Sequence, residues 1–304
     1  MASILQTAFE LGLISSLTVL SLFLSYTMLN VCDLSTDGCF TLGAAVGAVV
    51  AIAGHPFLSL PAAMCAGILS GFVTALLQTK MGIDSLLSGI IVNTGLYSIN
   101  IAVMGGASLL NMNKTVTVFT MMKELLRNSP FGSLYKTIVA VIAVTAVIVF
   151  LTLFLRTRLG LAIRATGNNP AMVRSSSVNP AFTTIVGLCI SNSFTALSGC
   201  LLAQSQKSVN IDIGSGFVTI SLASLLIGRA FAGKGGITRR AVGAVVGAII
   251  FRLVYAIALR FHMPAFMLKL VSSVIVIAAI SGPYLKSRYP EFHRRLTHRR
   301  RKGE

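Results

Sequence analysis

Nine apolar runs, near residues 6–30, 40–54, 57–78, 85–104, 136–155, 182–206, 215–231, 241–260 and 264–284, follow one another with no long polar block between them. They are too long and too poor in alternation to be strands, and in lipid only helices or closed barrels satisfy the backbone. The pattern predicts an all-α, polytopic membrane bundle of about nine spans. Thr137 to Leu155 shows the fit: 19 residues, about 28 Å as a helix, against a hydrocarbon core of about 30 Å. Two runs are short. The one at 40–54 has 15 residues and the one at 215–231 ends at Arg229, so both are expected to be broken or re-entrant helices buried in protein.

Between the fifth and sixth runs lies a polar island, Arg156 to Arg174, with four arginines and no acid. Its residues predict two short helices. Leu159 to Thr166 reads as the first, with Gly167 at the left-handed position after its end. Asn169 is placed to cap the second and Pro170 to open it, with the helix running through Val178. The basic residues also orient the chain. Eight lie in the tail from Lys286 to Lys302, four in the island and four between Arg229 and Arg240. The positive-inside rule puts all three segments in the cytoplasm, with the N-terminus and residues 105–135 outside. Met121 to Arg127 in that outer segment reads as a helix.

Hydrophobic residues make up 55% of the 304 positions and charged residues 11%, which fits one membrane domain over residues 1–284 followed by a basic tail, 285–304. The net charge of +17 sits at the ends of apolar runs and in the tail, where topology and the lipid surface explain it without nucleic acid. Cys32, Cys39, Cys65, Cys189 and Cys200 lie in or beside apolar runs without a CxxC pair and read as structural thiols. The first run lacks a basic n-region and a cleavage site, and is expected to remain as a span.

Gly43-Ala-Ala-Val-Gly47-Ala and Gly243-Ala-Val-Val-Gly247-Ala share a small-residue spacing that lets helices approach closely, and both read as packing seams. An internal duplication would also produce such an echo. Gly228-Arg-Ala-Phe-Ala-Gly-Lys234-Gly235 falls one residue short of a phosphate-binding loop, because Gly235 replaces the Ser or Thr that would hold magnesium, so ATP hydrolysis is not expected of this chain. His55, His262, His293 and His298 are scattered and form no metal or catalytic motif. Asp33, Asp37 and Asp84 fall near the predicted inner face, where they read as helix caps or solvated loop acids, or else as members of an ion path. Arg252 and Arg260 lie close enough to the outer end of their run to snorkel outward or face a cavity. Asn93, Asn100, Asn192 and Gln204 are polar positions within apolar runs, either interhelical ties or the lining of a path for a polar solute.

Two motifs together resemble one family. Asp33-Leu34-Ser35 with Gly38 and Leu42-Gly43-Ala44 is the first. The second is Arg156-Thr157-x-x-Gly160-x-Ala162-x-Arg164-Ala165-x-Gly167-Asn168-Asn169 with Ala171 and Arg174. The chain is similar over nearly its whole length to the permease subunits of bacterial ABC importers of the branched-chain amino acid and ribose type. Within them it most resembles the branch associated with tryptophan or other aromatic amino acid uptake. The resemblance implies an inner-membrane permease that pairs with a second copy or a close paralogue and works by alternating access. It also implies two separate ATP-binding cassette subunits, which carry the ATP and magnesium, and an extracytoplasmic binding protein that delivers the solute. The segment 157–181 would be the coupling loop to the ATPase, built on Gly160, Arg164, Ala165, Gly167, Asn168, Asn169, Pro170 and Arg174. Residues 105–135 would belong to the surface that meets the binding protein. Ser175-Ser-Ser-Val178 departs from the glycine usual in the family before an aliphatic residue, which bears on where the second short helix ends. The alternative from another class is an ATPase-independent secondary transporter or channel using Asp33, Asp37 or Asp84 for ion coupling.

Overall fold

A computed structural model describes residues 2–127, 134–233 and 235–260, with single positions at 270, 273, 274, 276, 277 and 281. The basic tail, Lys234 and most of the apolar run at 264–284 lie outside the described residues. Among the described residues, six helices are long and apolar enough to cross a membrane, and two shorter apolar helices accompany them. The long ones are α1 (Ala2–Leu22, continued by a π-helical turn, Phe23–Met28), α3 (Ser59–Thr79), α4 (Ser85–Val103), α6 (Tyr135–Phe154), α9 (Pro180–Gln206) and α11 (Ile237–Arg260). The short apolar pair is α2 (Thr36–Ile52) and α10 (Phe217–Ala232). This is a multi-pass helical membrane bundle.

Helices α1 and α9 form its centre. Their apolar windows are 83% and 78% buried, whereas that of α4 is 28% buried, so α4 turns most of its surface outward. The two central helices run antiparallel. Ser21 meets Ser191 and Thr195, and about two turns along from the Ser21–Ser191 contact Ser198 donates to the Ile14 carbonyl at 2.7 Å. Lipid offers no hydrophobic gain for bringing apolar helices together, so small residues and buried hydroxyl bonds carry this association. Small residues set the spacing of α9 with its other neighbours too. A Cβ on Gly43 or Gly47 would collide with Ala196 or Cys200, and one on Gly67 or Gly71 with the backbone of Asn192 or Leu188. The first pair runs parallel to α9 and the second antiparallel to it.

The order long helix, short helix, long helix occurs twice. Directions reverse between α1–α3 and α9–α11, and each set packs across the other: α1 lies along α11 and α9 along α3. The two glycine seams do not fall on equivalent elements of this pattern. Gly43 and Gly47 sit on short α2, whereas Gly243 and Gly247 sit on long α11, where they abut Gly228, Ala232 and Ser224 of α10. Their shared spacing answers the same packing demand at two unrelated contacts.

The short helices are short because they start inside the bundle. After the π-helical turn, Asn30 adopts a left-handed conformation (φ 58°) and the chain turns back between the helices. Asp33, 1% exposed, holds that return: its Oδ1 accepts from the backbone N–H and hydroxyl of Ser35 at 2.8 and 2.6 Å, and its Oδ2 from Asn192 Nδ2 at 2.7 Å. The expectation of a helix cap or solvated loop acid near one face is corrected here. Asn192 lies near the middle of 27-residue α9, so Asp33 is an interior group, satisfied by three hydrogen bonds in place of water.

At one end of the bundle a two-stranded antiparallel hairpin joins distant segments, β1 (Leu109–Asn111) to β2 (Ser208–Asn210), beside short helix α5 (Val118–Leu125). Thr117 caps α5 in a capping box with Thr120, so the helix expected over Met121 to Arg127 starts three residues earlier, at Val118, and ends at Leu125. The opposite end carries α7 (Arg158–Asn168) and α8 (Pro170–Ser175).

Candidate functional site

Two places in this bundle have features beyond packing. The first lies where the N-termini of α2 and α10 meet. Asp37, in the first turn of α2, accepts from the backbone N–H groups of Gly216 (Oδ2, 2.9 Å) and Val218 (Oδ1, 2.7 Å). A carboxylate is the natural cap for a helix start, whose free N–H groups carry the positive end of the dipole. The Phe40 and Phe217 rings stack beside this cap with centroids 4.1 Å apart. On the far side of Phe217, the Arg252 guanidinium lies 5.4 Å from the ring centroid and donates from Nη2 to Ser15 Oγ at 2.9 Å. Arg252 therefore turns into the bundle and does not snorkel outward.

A polar cavity of about 340 Å³ opens against this junction, lined by Asp37, Gly38, Thr41, Asn93, Thr94, Tyr97, Asn100, Ile211, Asp212 and Ser215. Three segments build it. The first turns of α2 supply Asp37 and Thr41, the middle of α4 supplies Asn93 to Asn100, and the approach to α10 supplies Asp212 and Ser215. Close contact of α2 with α4 keeps the site in register, because Gly38 leaves room for Asn93 and Leu96, and Gly89 for the Leu34 backbone. Asn100 Nδ2 donates to the Gly38 carbonyl at 3.2 Å.

The four amide positions singled out from sequence thus separate. Asn93 and Asn100 line the cavity. Asn192 is fully buried and ties α9 to Asp33. Gln204 is fully buried too, with its Oε1 accepting from Val118 N at 3.0 Å and its Nε2 donating to Ser59 Oγ at 2.6 Å, which joins the end of α9 to the starts of α5 and α3. Asp212, Tyr97 and Ser215 were not anticipated. A signal for the acids was present: each short apolar run is preceded by an aspartate three residues ahead, Asp37 before 40–54 and Asp212 before 215–231.

The second place is the helical pair α7–α8. Thr157 caps α7, accepting from Gly160 N at 3.3 Å, and Asn169 caps α8, accepting from Ala171 N and Met172 N at 3.1 and 3.2 Å, with Pro170 opening the helix. Two details differ from expectation. Gly167 lies within α7 and not in a left-handed turn; its missing side chain admits the Met28 carbonyl and Leu29, so it seats α7 on the end of the π-helical turn. Helix α8 ends at Ser175 and not Val178, because Ser177 takes a left-handed conformation (φ 60°). Gly160 packs in the same way on Phe154 and Leu155. Ile163 and Val173 are buried, while Leu159, Leu161, Ala165, Asn168, Met172 and Arg174 face outward. Arg164 is half-buried and lies within electrostatic reach of Arg240, as does Arg229. The pair is thus a braced platform with an apolar and basic outer surface. The near phosphate-loop stretch contributes only the turn at its side, where α10 ends at Ala232 and Gly233 has φ 61°.

Residues 4–280 match the family described as branched-chain amino acid transport system / permease component. The chain is 32% identical over 271 residues to a tyrosine transport system permease protein of Clostridioides difficile (strain R20291), covering 89% of this chain and 88% of the relative. It is 28% identical over 286 residues to the uncharacterized protein RP368 of Rickettsia prowazekii (strain Madrid E), covering 92% and 98%. No solved structure matches. With the family model and a relative above 30% identity both spanning most of its length, the chain belongs to the branched-chain amino acid transport system permease family.

Proposed function

We propose that this chain is the membrane-spanning permease of an ABC importer for an amino acid of the aromatic class, working in the inner membrane with its α7–α8 end in the cytoplasm. The observation that carries the reading is the family match along residues 4–280, together with a relative whose printed name is a tyrosine transport system permease protein. The outer surface of α7–α8 supports a docking role, since short capped helices with exposed Leu161 and Met172 beside Arg174 suit a groove on an ATPase. A second permease copy, two ATPase subunits and an extracytoplasmic binding protein complete the assembly. ATP and magnesium belong to the ATPase, and this chain contributes no catalytic group.

The path for the solute runs past the junction of α2 and α10, where Asn93 and Asn100 line the polar cavity. Short helices that start inside a bundle give a transporter fixed dipoles at mid-depth and places where small rotations open or close a route. Uptake of labelled tyrosine by proteoliposomes holding the chain with its ATPase, binding protein outside and ATP inside, tests the reading. ATP-dependent accumulation supports it. Accumulation by the chain alone, unaffected by removing the ATPase, would contradict it and make the protein a secondary transporter.

A further inference from the structure

We infer that the inner end of the α10–α11 edge is a binding site for an anionic phospholipid, with the headgroup phosphate among Arg229, Arg239 and Arg240 and an acyl chain along the outer face of α11. The inference rests on the orientation in the permease reading, which puts this end in the cytoplasm. It goes beyond that reading in naming a ligand other than the solute.

Helices α10 and α11 touch where a Cβ on Gly228 would meet the Gly243 carbonyl, which brings the end of one against the start of the other. Arg229 of α10 and Arg164 of α7 both lie within electrostatic reach of Arg240. Arg239 folds its stem over Gly235, at the turn between the two helices. Arginines from three helices thus gather at one end of the bundle, and the chain has no acid from residue 125 to 211 or from 213 to 290 to balance them. The inner-face acid among the described residues, Asp84, is used elsewhere: it caps α4, accepting from Leu86 N at 2.9 Å.

Membrane topology asks only that basic residues lie on this face. It does not ask that half-buried Arg240 stand 5.9 Å from the ring centroid of Phe23, which is fully buried. Nor does it ask for two arginines in the opening turn of α11, where the helix dipole disfavours a cation. Like charges held this close repel one another, and an anion placed among them turns the repulsion into attraction.

Depth and exposure identify the anion. Phe23 precedes Met28 by five residues, about 7 Å along the helix, and Met28 is where Gly167 seats α7. Arg240, over Phe23, is nearer the membrane centre than that seat by about the same amount, and the headgroup layer on each side of a bilayer is about 5–8 Å thick. The cluster is therefore at headgroup level, beneath the outer surface that α7–α8 offers to an ATPase. Arg229 and Arg239 are exposed, and from Arg239 the outer face of α11 continues through exposed Val242 and Val246 to half-exposed Ile250, an apolar stripe at helical spacing for an acyl chain. A net-negative lipid fits better than a zwitterionic one, whose ammonium finds no carboxylate here.

The test uses the purified full-length chain in neutral detergent with three probes: phosphatidylglycerol, phosphatidylcholine with the same acyl chains, and inorganic phosphate. Native mass spectrometry should show phosphatidylglycerol retained about tenfold or more over phosphatidylcholine. Arg229→Gln and Arg239→Gln should each weaken phosphatidylglycerol about fivefold, and together abolish the preference. Both side chains are exposed and glutamine keeps part of each stem, so the variants should remain monodisperse. Lys80→Gln, an exposed basic position elsewhere on the same face, should leave the preference unchanged. Phosphatidylglycerol should raise the melting temperature, and inorganic phosphate should not. No preference for phosphatidylglycerol, an equal loss in Lys80→Gln, or equal stabilisation by phosphate alone would overturn the inference. So would a double variant that keeps its lipid preference and loses a co-purifying ATPase, which would assign these arginines to that partner. Lipid binding is read on the chain alone, whereas failure of the permease reading appears as absence of ATP-dependent uptake by the wild type.

Discussion

The Asp37 carboxylate receives the Val218 backbone N–H at 2.7 Å across 181 residues of sequence, and so joins the starts of two helices that run away from each other. This single side chain sets where α10 begins. Replacing it by alanine leaves the part-buried Val218 N–H without its acceptor, a cost of about 1–3 kcal/mol, while the exposed Gly216 N–H can turn to water. Asp37→Ala should lower the melting temperature of the purified protein. It should also speed hydrogen exchange at Gly216 to Val218 more than elsewhere in α10.

The Asp33–Asn192 pair gives a sharper test, because its polarity can be reversed. Asn192→Asp puts a second carboxylate against Asp33 Oδ2, where an amide now donates at 2.7 Å, and should destabilise the fold by about 2–4 kcal/mol. Adding Asp33→Asn restores one amide facing one carboxylate and keeps an oxygen for the Ser35 N–H. The double variant should recover at least half of the lost stability in a chemical denaturation series. No recovery would mean that the pair matters only through Asp33 itself.

Glycine-to-alanine changes should separate by position. At Gly43 a methyl group meets the Ala196 backbone, and Gly43→Ala should push α2 from α9 at a cost of about 1–3 kcal/mol or more. At Gly95 nothing lies within 4 Å, so Gly95→Ala should be neutral or slightly stabilising in thermal melts, since alanine also favours the helix.

Helix caps on the platform should tune coupling more than folding. Asn169→Ala removes the acceptor for Ala171 N and Met172 N and should cost about 1 kcal/mol, confined to α8. Bulk melting should change little, while ATP-driven uptake falls because the platform loses its fixed shape.

Much of this architecture was legible in the chain. Apolar runs gave the long helices, since a span must be long and uninterrupted to satisfy its backbone in lipid. The short lengths of 40–54 and 215–231 marked α2 and α10 as helices that do not cross on their own. Asn169 and Pro170 announced a helix start because capping is local chemistry. What sequence left open depends on contacts between distant residues. Asp33 reads as a loop acid until Asn192, 159 positions away, is seen against it. Gly167 reads as a helix stop until the Met28 carbonyl is found in the space that a side chain would fill. The amides divide for the same reason: Asn192 and Gln204 tie distant segments at Asp33, Val118 and Ser59, while Asn93 and Asn100 line the cavity, and nothing along the chain distinguishes the two kinds.

The central claim is that this bundle is driven from outside itself through the α7–α8 platform. Its most direct measurement is purification of the tagged chain from its native membrane in mild detergent, with mass spectrometry and an ATPase assay of the eluate, for wild type and Arg164→Glu side by side. The account predicts a nucleotide-binding subunit with ATPase activity in the wild-type eluate, and its loss in the variant while the permease itself remains monodisperse. A wild-type eluate that lacks ATPase and still moves solute in liposomes would contradict it.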